Sequence, residues 1–100
     1  MRIIELVELT KVYNGLLIKW IKGAVWLEDP ANKSKITEEN EKTYQELTKT
    51  MAEIHDTFDQ HNITFKETEA LECIELPEET KRIHIEKWLE EYSKFKKGEK

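Results

Sequence analysis

YNGLLIKWIKGAVW, residues 13–26, decides the fold class. Asn14-Gly15 is the strongest dipeptide signal for a two-residue β-hairpin turn. Read as a hairpin, the stretch and its flanks pair Tyr13 with Leu16, Val12 with Leu17, Lys11 with Ile18 and Leu9 with Trp20. One face then mixes Tyr13, Leu16, Ile18, Leu9 and Trp20 with Lys11 and Lys22. The other mixes Val12, Leu17 and Ile21 with Thr10, Lys19 and Glu8. A half-buried strand needs one clean apolar face, and neither face is clean.

The helical period sorts the same residues better. Glu5, Glu8, Lys11, Gly15, Lys19, Lys22 and Gly23 share one arc about 120° wide. Ile3, Leu6, Tyr13, Leu17, Trp20, Ala24 and Leu27 line the opposite arc, with a second apolar row through Ile4, Val7, Ile18, Ile21 and Val25. Asp29-Pro30 closes the pattern, because the residue before a proline is driven out of the α region. The spacing therefore predicts a helix over residues 2–28 that continues through Asn14-Gly15.

Residues 29–36 are rich in turn formers and read as a loop. Thr37 is the expected N-cap of a second helix over residues 37–61, with Glu38 and Glu39 at its positive end. Its apolar residues, Tyr44, Leu47, Met51, Ile54 and Phe58, form only a narrow seam. Residues 62–76 fit either a short helical turn capped by Thr68 and holding Ala70 and Leu71, or an extended strand. Pro77 opens a third helix over residues 77–96, with Ile85, Trp88, Leu89, Tyr92 and Phe95 on its inner face. Residues 96–100 read as a frayed basic tail.

The expectation is an all-α fold: a compact bundle of three main helices forming a single domain over residues 1–100. The alternative is α+β, with an N-terminal β-hairpin turning at Asn14-Gly15 and packed on two helices. In the bundle, the apolar face of the first helix is too broad for one narrow-faced partner. It must be sandwiched by two helices or by a second copy of the chain. Self-association then falls to the part of Ile4, Val7, Ile18, Ile21, Val25 and Trp26 that the other helices leave open.

Composition narrows the class. The chain is 38% hydrophobic and 37% charged, with two prolines and three glycines, which suits solvated helices better than a sheet sandwich. Cys73 is the only cysteine, so no intrachain disulfide forms and a reducing compartment is expected. Glu5 and Glu8 interrupt what a signal peptide would keep apolar. The longest purely apolar run, Ala24–Leu27, is far short of the ~20 residues of a bilayer span. The sequence reading is thus cytoplasmic, with no membrane role.

Charge is unevenly placed. Residues 37–80 carry thirteen acidic side chains against three basic ones, while both ends of the chain are mildly basic. A net charge of −5 with no dense positive stripe argues against direct nucleic-acid binding. The acidic back of the second helix, Glu38, Glu39, Glu46, Glu53, Asp56 and Asp59, is the candidate surface for a basic protein partner. A variant of this idea is an acidic mimic of nucleic acid that occupies a nucleic-acid-binding enzyme.

Chemistry-bearing motifs are sparse. His55 and Asp59 share a helix face at i,i+4 and are weak metal-ligand candidates, but His61 and Asp56 point elsewhere and His84 is the only other histidine. His61 is placed to bond the free carbonyls of its helix end. Glu38…Glu41 and Glu53…Asp56 resemble the paired acidic motifs of all-α nucleotide pyrophosphohydrolases, which implies magnesium-dependent hydrolysis. Those enzymes set the pairs on different helices. Here no helix breaker lies between Glu41 and Glu53, so the pairs would stand about 18 Å apart on one helix. Cys73 lies between acids, and no Gly-rich elbow or phosphate loop is present. The sequence therefore predicts a non-catalytic interaction module without cofactor, an adaptor, inhibitor or assembly factor, acting as a homodimer.

Overall fold

The computed structural model describes residues 2–98. It is all-α: α1 Ile3–Glu28, a 3-10 turn Pro30–Lys35, α2 Glu38–Gln60, the single turn α3 Glu67–Ala70, and α4 Glu78–Gly98, with no strand among the described residues. The hairpin is excluded because Asn14 and Gly15 lie within α1, which runs unbroken past them. Gly15 sits on the exposed side, where a Cβ would meet nothing within 4 Å.

Local chemistry sets the helix ends. Asp29 leaves the helical region at ψ 119°, and its carboxylate accepts the Ala31 N–H at 2.9 Å, which starts the 3-10 turn. Asn32 returns to donate to the Trp26 carbonyl at 3.1 Å. Thr37 caps α2 as expected, in a reciprocal box. Its hydroxyl accepts from Asn40 N–H at 3.1 Å, and the Asn40 side chain accepts from Thr37 N–H at 3.0 Å. At the far end Asn62 adopts φ 57°. Ile63 N–H then bonds the Phe58 carbonyl at 2.8 Å and Asn62 N–H bonds the Asp59 carbonyl at 3.2 Å, the paired bonds of a Schellman ending. His61 Nδ1 lies 2.9 Å from the Thr57 carbonyl oxygen, the role its position predicts.

α1 is the central element and touches α2, α3 and α4. The sandwich is built within one chain. On one side of α1 the Trp20 ring stacks on Tyr44 of α2, with centroids 5.3 Å apart and planes at 25°, and its indole N–H donates to Thr48 at 2.8 Å. On the other side Trp20 meets Trp88 of α4, 5.7 Å between centroids. Tyr13, Leu17, Ile21, Met51, Phe58, Leu71 and Trp88 are fully enclosed. Each large apolar side chain so buried contributes about 1.5–3 kcal/mol of transfer free energy.

Four expectations change. Ile21, assigned to a self-association face, is 0% exposed, because α1 is covered on that side by its own chain. Leu89 turns outward, and His84 and Lys81 take inward positions on α4 beside Ile85, Trp88 and Tyr92. Residues 62–76 form no strand: Lys66, not Thr68, precedes the turn α3, and Leu71 behind it plugs the core. α4 also remains helical through Lys96 and Lys97 to Gly98, where fraying is expected; residues 99 and 100 lie outside the described residues.

Candidate interaction surface

The most exposed apolar surface belongs to the first turns of α1. No residue from Arg2 to Val12 is buried, and Tyr13 is the first to enter the core. The helix therefore carries residues 3–8, about 9 Å at 1.5 Å per residue, as an arm ahead of Leu9, which packs against the core. Ile3 is 81% exposed, Ile4 67%, Val7 47% and Val12 51%, while Leu6 and Leu9 are half-buried at the base. Scattered surface hydrophobics are ordinary, but Ile3, Ile4 and Val7 fall within about 100° of one another by helical spacing, while Val12 lies on the opposite side, among Glu5 and Glu8. The arm is charge-balanced: Arg2 pairs with Glu5 at 3.5 Å and Lys11 with Glu8 at 3.6 Å.

Of the remaining residues expected on this surface, Ile18 and Val25 are half-buried and Trp26 is 39% exposed. Trp26 borders a groove of about 270 Å³ between α1 and α2, lined also by Gly23, Tyr44 and Leu47. The predicted face thus divides into an open arm (Ile4, Val7), a flank (Ile18, Val25, Trp26) and a core residue (Ile21).

The acidic set also divides. Glu38, Glu39, Glu46 and Glu53 are exposed along α2. Lys42 and Lys49 fall on the same strip by helical spacing and dilute its field. Asp56 accepts a hydrogen bond from Gln60 at 2.8 Å. Asp59 faces inward to α4, where it accepts from the Tyr92 hydroxyl at 2.5 Å and from Lys96 Nζ at 2.9 Å. Burial raises the Asp59 carboxyl pKa, but these two bonds outweigh it and hold the group below its ordinary range. The two acid pairs that resemble pyrophosphohydrolase motifs ride the single helix α2.

His55 and Asp59 do approach each other, Nδ1 to Oδ1 at 3.6 Å. The third group is Glu67, whose Oε1 lies 3.4 Å from His55 Nε2, and not His84. The two carboxylates address opposite edges of the ring, so they do not converge on one point. Among the described residues no three His, Cys, Asp or Glu side chains are grouped to hold a metal ion. His84 is engaged elsewhere, with Nε2 2.9 Å from Glu28 and Nδ1 2.8 Å from the Thr80 carbonyl.

Glu67 is the residue that sequence reasoning missed. It is buried, and it joins a polar chain through the core: Trp88 N–H donates to the Tyr13 hydroxyl at 2.7 Å, which donates to Glu67 at 3.3 Å. Burial and the Glu67 charge push the Tyr13 hydroxyl above the normal tyrosine range. The available signal was indirect: polar atoms of Tyr13, His55 and Trp88 on apolar faces must find partners.

No helix among the described residues is long and apolar enough to cross a membrane. Compared with protein-family models, curated proteins and solved structures, the chain matches none.

Proposed function

We propose that the protein is a non-catalytic protein–protein interaction module that self-associates through the amino-terminal arm of α1. One observation carries this reading: Ile3, Ile4 and Val7 stand exposed together on the first turns of α1, where no described residue before Tyr13 is buried. An arm with balanced charges meets a copy of itself without repulsion, whereas a strongly charged partner would find no complement there. The acidic strip of Glu38, Glu39, Glu46 and Glu53 lies on another helix, open to a basic partner of the assembled form. The lone exposed thiol of Cys73 fits a reducing compartment such as the cytoplasm.

The test is sedimentation equilibrium from micromolar to millimolar concentration, on the wild type and on Ile4→Glu/Val7→Glu. The wild type is expected to shift from monomer toward dimer, and the variant to stay monomeric with an unchanged helical spectrum. A wild type that stays monomeric throughout overturns the reading.

A further inference from the structure

His55 lies on the inner side of α2 in a cage of rings. Tyr92 of α4 packs at 4.1 Å between centroids, Tyr13 of α1 meets it edge-on at 5.7 Å, and Phe58 lies at 6.3 Å. Its side chain is only 15% exposed, and Nδ1 is buried with no hydrogen-bond partner. Both ring nitrogens face carboxylates: Nδ1 faces Asp59 from its own helix, and Nε2 faces Glu67 from α3. Ionised carboxylates only accept, and a neutral imidazole has one N–H and one lone pair. Whichever tautomer forms, a lone pair points at a carboxylate. Only the imidazolium, with two N–H groups, matches both neighbours, and such charged contacts close to about 2.7–2.9 Å.

The surroundings make this contact consequential. Asp59 is pinned on its other oxygen by Tyr92 and Lys96 of α4, so it is a fixed anchor. Lys96 also opposes a second positive charge nearby, while Asp56 adds a negative one on α2. Glu67 sits on α3, the only regular element between α2 and α4, and its other tie to the core is the Tyr13 hydroxyl. The segment that carries it is anchored in the core by Leu71 and by Phe65, whose ring meets Tyr13 at 4.6 Å and Phe58 at 5.9 Å, and Glu67 adds its polar tie to side chains of α1 and α2.

We propose that His55 works as a proton-operated clasp: proton uptake ties Glu67 to Asp59 through the imidazolium and tightens residues 63–74 against the bundle, and proton loss loosens them.

The experiment is amide hydrogen exchange on the full chain at pH 7.5 and 5.5, corrected for intrinsic exchange rates, with ¹⁵N shifts of the His55 ring recorded on the same samples. Protection of the Phe65–Leu71 amides is expected to rise several-fold at pH 5.5. The rise should vanish in His55→Gln and Glu67→Gln and persist in His61→Gln and His84→Gln. Equal protection at both pH values in the wild type overturns the proposal, as does the same rise in His55→Gln. If His55→Gln does not fold, the wild-type ring decides: imidazolium shifts that appear in step with protection support the clasp, and a ring still neutral at pH 5.5 overturns it.

Discussion

Trp88 donates its indole N–H to the hydroxyl of Tyr13 at 2.7 Å, joining the last helix to the first across 75 residues of sequence. Both side chains are fully buried, so the bond has no competition from water. Tyr13→Phe removes the acceptor and leaves the Trp88 N–H unpaired in the core. A loss of about 1–3 kcal/mol is expected, read as a lower urea midpoint at unchanged slope. A variant as stable as the wild type would show that the bond contributes nothing net.

Gly15 tests the decision between helix and hairpin directly. It lies in the interior of α1 with free space where a Cβ would stand. Gly15→Ala is expected to raise stability by about 0.5–1 kcal/mol, the helix propensity difference. In a type I′ turn the same change would destabilise, because alanine resists positive φ. Thermal melting gives the sign.

Ile4 and Ile21 belong to the same apolar row of α1 in sequence but to opposite environments in space. Ile4→Glu is expected to change monomer stability by no more than about 0.5 kcal/mol, as for other exposed sites. Ile21→Glu forces a carboxylate into the core and is expected to unfold the chain or lower its urea midpoint severely. Circular dichroism of the two variants side by side measures the contrast.

Acid should weaken the fold through two carboxylates. Glu28 is held below its ordinary range chiefly by the hydrogen bond from Lys87, helped by His84 and opposed by burial. Asp59 is held low by Tyr92 and Lys96 against the larger effect of its burial. A carboxylate with a depressed folded-state pKa contributes stability that is fully present above its unfolded value, near pH 4–4.5, and is lost as pH falls through the folded value. The urea midpoint is expected to decline from pH 5 toward pH 3, and less steeply in Glu28→Gln/Asp59→Asn. An identical slope in that variant would remove both groups from the account.

Much of the architecture is legible in local signals. The polar arc of α1, the Thr37 cap and the Asp29-Pro30 stop are each properties of a few adjacent residues, and the three main helices follow from them within two residues at each end. The arm is half-legible. Ile4 and Val7 read as apolar and unclaimed, but the same pattern enlists Ile21, since helical spacing states which side a residue faces and not whether another helix arrives there. The polar chain through Tyr13, Glu67 and His55 is not legible at all. Glu67 stands in a segment without periodicity, and nothing local distinguishes it from Glu69 or Glu72, which remain exposed.

By itself, then, the sequence determined the helical class, the element order and the breadth of the apolar face on α1, because each is set by backbone preference and side-chain spacing over short distances. Tertiary structure alone decided what covers that face: α2 and α4 enclose Trp20 and Ile21, and the first turns of α1 are left open. It also decided which acids are solvated and which are enclosed. Burial is a relation between residues far apart in the chain, and YNGLLIKWIKGAVW reads the same whether its partners come from within the molecule or from outside it.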